Sequence, residues 1–108
     1  MLSATAIIAM GYLIQILLPV VEEVDFRTIL ADVRGQLIEK FGGVTLHVNA
    51  PAEGLWDDGA GIERDRIVVV EVMSGVFDRA WWLDYRSRLQ AELEQDEIVV
   101  RAFFIDRM

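Results

Sequence analysis

The chain has no cysteine, a single histidine and two prolines in 108 residues. Without cysteine there is no disulfide framework, no thiolate nucleophile and no cysteine-ligated zinc. One histidine removes most catalytic triads and the commonest metal constellations. Positive charge is scarce as well: Lys plus Arg number 10 against 18 Asp plus Glu, and the net charge of −8 repels a phosphate backbone. Nucleic acid is not an expected partner. Gly54, Gly59 and Gly61 precede a strand pattern rather than a helix, so they make no phosphate cradle. Ser3, Ser74 and Ser87 lie in no nucleophile elbow. Asp57, Asp58, Glu63 and Asp65 lack the spacing of a calcium loop and read as a solvated charge run, so neither metal nor cofactor is expected.

What is present is apolar. Hydrophobic residues make up 54% of the chain and the mean hydropathy is +0.34, too high for a disordered polymer. The length suits one domain with one core. Residues 2–21 raise the question of a membrane span, but Gln15 and Pro19 interrupt the run, and no Lys or Arg precedes Arg27 to make a secretory n-region. A soluble, cytoplasmic protein without membrane association is the expectation. Met10 reads as a start, residues 1–10 as an extension packing on the surface or a neighbour, and residues 11–108 as the domain.

Periodicity supplies the elements. Residues 12–18 are apolar and rich in branched side chains up to Pro19, which predicts a strand. Phe26, Ile29, Leu30, Val33, Leu37, Ile38 and Phe41 then fall at helical spacing, with Asp25 as N-cap and Gly42-Gly43 as the stop. Residues 44–50 alternate as a half-polar strand, 51–61 read as a long loop, and 67–73 as a strand buried on both faces. A second helix from Asp78 carries Phe77, Trp81, Trp82, Tyr85, Leu89 and Leu93 on one face, and 98–105 closes the chain as a strand. The order βαββαβ predicts an α+β, ferredoxin-like sandwich: a four-stranded antiparallel sheet in spatial order 4-1-3-2, with two helices on one face. By parity, the other face would carry mostly apolar side chains. A second copy is the simplest cover for it.

The runs Phe41-Gly42-Gly43-Val44-Thr45, Pro51-Ala52-Glu53-Gly54-Leu55-Trp56, Glu71-Val72-Met73 and Arg79-Ala80-Trp81-Trp82 resemble a small bacterial family of unknown function, over about residues 11–105. That family's fold is similar to the dimeric α+β barrel proteins. The resemblance implies architecture and a homodimer but no catalytic residue, because the matching runs are turns and core contacts. Barrels of this shape include cofactor-independent monooxygenases, haem-degrading enzymes, lactone isomerases and ligand-binding modules.

Four polar residues stand near the middles of four different strands and share the open face: Gln15, His47, Glu71 and Arg101. In sheet order they form a row across an apolar surface. One reading makes the row a hydrogen-bonded network that fixes dimer register. The other makes Glu71 a general base, His47 its partner acid and Arg101, beside Gln15, the anchor of an anionic substrate. Trp56 reads as a lid or an interface anchor. Trp81, Trp82 and Tyr85 read as core, with one of the adjacent indoles partly exposed and placed to line a cavity between helix and sheet. Two functions follow: a homo-oligomeric small-ligand-binding or structural module, or a cofactor-independent monooxygenase or isomerase acting on a small aromatic or enolisable substrate.

Overall fold

Helix α1 (Phe26–Phe41) is bounded by two local devices. At its start, Asp25 accepts hydrogen bonds from the Thr28 hydroxyl at 2.7 Å and the Thr28 N–H at 3.2 Å. These bonds hold the Asp25 carboxyl below its ordinary value. The cap is therefore complete above the ordinary carboxylate range and fades as acidification protonates it. At its end, Gly42 takes φ 83° and donates its N–H to the Ile38 carbonyl at 2.8 Å. A side chain at Gly42 would be strained in that left-handed conformation.

The structure is a computed structural model and describes residues 10–108, with the side chains of 49–51 set aside. The expected extension at residues 1–9 lies outside the described residues. Four strands are present: β1 (Met10–Pro19), β2 (Thr45–Asp57), β3 (Ile62–Ser74) and β4 (Val99–Asp106). Met10, grouped with the extension from sequence, already pairs with Asp106 and so belongs to the domain. With α1 and α2 (Arg79–Glu92) they make an α+β fold whose sheet runs β2–β3–β1–β4 with every neighbouring pair antiparallel. Each helix thus joins two strands running the same way, with an antiparallel strand between them.

Even-numbered residues of β1 and β3 face both helices. Ile14, Ile16, Leu18, Val68, Val70 and Val72 form one cluster with Val33 and Leu37 of α1 and with Trp82, Tyr85 and Leu89 of α2. Each such buried side chain contributes about 1.5–3 kcal/mol of transfer free energy. Ile38, expected on the apolar stripe of α1, is exposed. Strand β3 was expected to be buried on both faces and is buried on one, since Met73 is exposed and Ile67 and Val69 are only half covered.

The hairpin departs furthest from expectation. Residues 51–61 are not a loop, because β2 continues to Asp57 and pairs along β3 from Ala52↔Ile67 to Asp57↔Ile62. Between His47↔Val69 and Ala52↔Ile67, β2 advances five residues while β3 advances two. This wide bulge absorbs Pro51, which has no N–H to give to a ladder. It also reverses parity: the open face takes Thr45 and His47 before the bulge, but Gly54 and Trp56 after it. The turn is only 58–61, where the Asp57 and Asp58 carboxylates accept from the Gly59 and Ala60 N–H groups at 2.9 and 2.8 Å. The Ala60 bond chiefly holds the Asp58 carboxyl below its ordinary value. Half of the acidic run is therefore turn chemistry.

Candidate functional site

Register decides whether the polar row exists, and it does. Gln15 lies opposite Glu71 on β3 and opposite Arg101 on β4, while Glu71 faces Thr45 on β2 and reaches His47 diagonally. The Gln15 Nε2 donates to Glu71 Oε1 at 2.6 Å, and Arg101 Nε donates to Gln15 Oε1 at 2.7 Å. His47 Nε2 stands 3.5 Å from the same Glu71 oxygen. A carboxylate only accepts and a guanidinium only donates, so this orientation of the Gln15 amide satisfies both partners at once. The guanidinium of Arg101 also lies 5.6 Å from the centre of the Phe103 ring.

The surface around the row is apolar. Leu13, Leu17, Val69 and Ile105 are half-buried, whereas Met73 is 47% exposed and Val99 and Phe103 are each 44% exposed. Two depressions flank the row. One, of about 290 Å³, is an open groove between the α1–β2 turn and the sheet, with Leu13, Thr45, Glu71, Met73 and Arg107 in its wall. The other, of about 280 Å³, lies at the far end, between Leu17, Pro19, Ile67 and Val99 of the sheet and Leu55 and Trp56 of the hairpin. Trp56 on β2 and Val99 on β4 line one cleft although two strands separate them in the sheet, so the hairpin arm leans over the open face.

Gly54 sits where the arm meets the floor of the cleft. A Cβ there would come within 2.6 Å of the Ile67 side chain that floors the cleft. The end of α2 sets the opposite rim. Gln90 accepts the Ile98 N–H at 2.9 Å, which fixes the start of β4 and brings Glu97 to the cleft. Sequence reasoning missed Glu97 and left Asp65 in the solvated run. The alternation Glu63-Arg64-Asp65-Arg66 was the available signal, since period two in charge marks a strand with acids on one face and bases on the other.

The other aromatic candidates are elsewhere. Trp81, Trp82 and Tyr85 lie on α2, in the layer behind the sheet, and meet neither the row nor the cleft with Trp56. Trp82 and Tyr85 are buried. Trp81 is the partly exposed indole, stacked on Tyr85 at 4.9 Å with Lys40 Nζ 4.5 Å from a ring centre. Both indoles border a surface cleft of about 210 Å³ between the end of α1 and the start of α2. Tyr85 donates its hydroxyl to Gln36 Oε1 at 2.7 Å, and burial pushes its pKa up to about 12. Because the folded value exceeds the ordinary one of 10.0, this burial stabilises fully below pH 10 and is lost as pH rises toward 12. Ultraviolet titration should therefore show one of the two tyrosines ionising only near pH 12, and Tyr85→Phe should remove that step.

Among the described residues no group of three or more His, Asp or Glu side chains could hold a metal, and no helix is long and apolar enough to cross a membrane. No family model, curated protein or solved structure matches the chain.

Proposed function

We propose that this protein is a homodimeric small-ligand-binding module of ferredoxin-like class, built as a dimeric α+β barrel in which the uncovered sheet faces of two copies meet. The observation that carries this reading is the uncovered face itself. Leu13, Met73, Phe103 and Ile105 form an apolar surface beside the polar row, with Met73 and Phe103 nearly half exposed. A sheet face that meets only water is polar at most such positions. A two-fold axis would cover it with the same surface and double the row, so that register is set by polar groups and affinity by apolar area. The acidic exterior, part of a net charge of −8, keeps such a dimer from associating further.

Sedimentation equilibrium should give twice the 12.3 kDa chain mass. Met73→Glu and Phe103→Glu, at positions exposed in the single chain, should each convert the dimer to a monomer with an unchanged far-ultraviolet spectrum. A wild-type chain that stays monomeric at about 100 µM, well above the Kd of a standard-size interface, would remove the dimer from this reading.

A second reading has one specific observation behind it. Glu71, with His47 3.5 Å away, lies in the wall of the groove of about 290 Å³, where a cofactor-independent monooxygenase or isomerase would need its base. Its Oε1 is, however, already engaged by Gln15. Turnover of an enolisable substrate that vanishes in Glu71→Gln while the dimer persists would favour the enzyme over the module.

A further inference from the structure

Within the ligand-binding reading, on which this rests, the cleft under the hairpin arm shows what kind of ligand to expect. Its floor is Leu17, Pro19, Ile67 and Val99, its wall is the indole of Trp56, and its rim carries Asp65 and Glu97. Among the described residues neither carboxylate is held by an ion pair or a side-chain hydrogen bond. The neighbouring bases do not neutralise them. Pairing parity sends Arg64 and Arg66 to the opposite face of the hairpin, where Arg64 lies 3.7 Å from Glu53, while Glu63 and Asp65 share the cleft side with Trp56. An apolar floor, an aromatic wall and unpaired negative charge at the mouth are complementary to a cation with a flat apolar body.

We propose that this cleft binds a hydrophobic organic cation, an amine or quaternary ammonium attached to a single ring. The ring lies on Leu17, Ile67 and Val99 against Trp56, and the ammonium stands between Asp65 and Glu97. The volume of about 280 Å³ lies just below the usual range of small-molecule sites, which suits a ligand of one ring. Anionic ligands are disfavoured by the same two carboxylates.

The test uses the full chain and three probes of one shape: 2-phenylethylamine, 2-phenylethanol and phenylacetate. Binding is followed through the indole N–H resonance of Trp56, assigned with Trp56→Phe, and each sample is also sedimented. The amine should bind about tenfold tighter than the alcohol, the acetate should not bind, and Asp65→Asn and Glu97→Gln should each lower amine affinity about tenfold. Equal binding of amine and alcohol, shifts confined to Trp81 and Trp82, or no binding at all would overturn the proposal. A dimer that ignores the amine sinks the cleft alone, whereas a monomer that binds it keeps the cleft and sinks the dimer.

Discussion

Trp82→Ala lowers the free energy of unfolding by about 3–5 kcal/mol, measured by urea denaturation. Trp82 is 3% exposed and its ring stacks on Phe41 with centroids 5.4 Å apart and planes 13° from parallel. It also meets Trp81 edge-on at 4.8 Å and Tyr85 at 5.9 Å. The indole therefore joins the first turn of α2 to the last turn of α1, and truncation leaves a void that the flanking rings cannot close. Against a total stability of about 5–15 kcal/mol for a domain of this size, the variant would stand near its unfolding threshold at 37 °C. Trp56→Ala, at a side chain 47% exposed, should stay within about 1 kcal/mol of the parent. Equal losses at the two positions would make Trp56 a core residue and leave the cleft without its free wall.

That contrast marks where the sequence was informative. The Asp25 cap, the Gly42 stop and, Ile38 apart, the apolar stripes of both helices are local signals, and they stand where the sequence pattern put them. Strand parity was equally legible in β1, β3 and β4, because those strands keep a regular ladder through Gln15, Glu71 and Arg101. Hence the polar row was visible as residue types before any register was known. The arm was not. Its signal, the charge alternation of residues 63–66, competes with the turn-forming Pro51, Gly54, Gly59 and Gly61 spread across the same stretch. Nothing local in residues 45–57 announces that β2 takes five residues to match two. Parity carried from Thr45 and His47 therefore does not reach Trp56, which was read as part of a loop and stands on β2 beyond the bulge. Asp65 and Glu97, far apart in the chain, line one cleft only through the register of the sheet and the Gln90 contact to the Ile98 N–H, neither of which has a local signal.

In the proposed dimer, Gln15→Met should weaken association by about 2 kcal/mol, roughly thirtyfold in Kd, while changing the stability of the single chain far less. The reason lies in what Gln15 joins. In the single chain Arg101 is exposed and Glu71 only half-buried, so water can solvate both when the bridging amide is lost. Between two packed sheets water is excluded, and the guanidinium of Arg101 and the carboxylate of Glu71, which now meet only through the Gln15 amide, lose that bridge. Each is left desolvated without its hydrogen bond, and the penalty falls on association rather than folding. Gln15→Glu sharpens the argument. It sets a second carboxylate where Gln15 Nε2 now lies 2.6 Å from Glu71 Oε1. Two like charges so close repel in a dry interface, so association should be weaker for this variant than for Gln15→Met and should strengthen as the pH falls toward the ordinary carboxylate range. A Kd for Gln15→Met equal to the parent's would mean the row stays wet in the dimer and plays no part in its register. The sheet faces would then be held by Leu13, Met73, Phe103 and Ile105 alone, and the row would be free to meet a substrate.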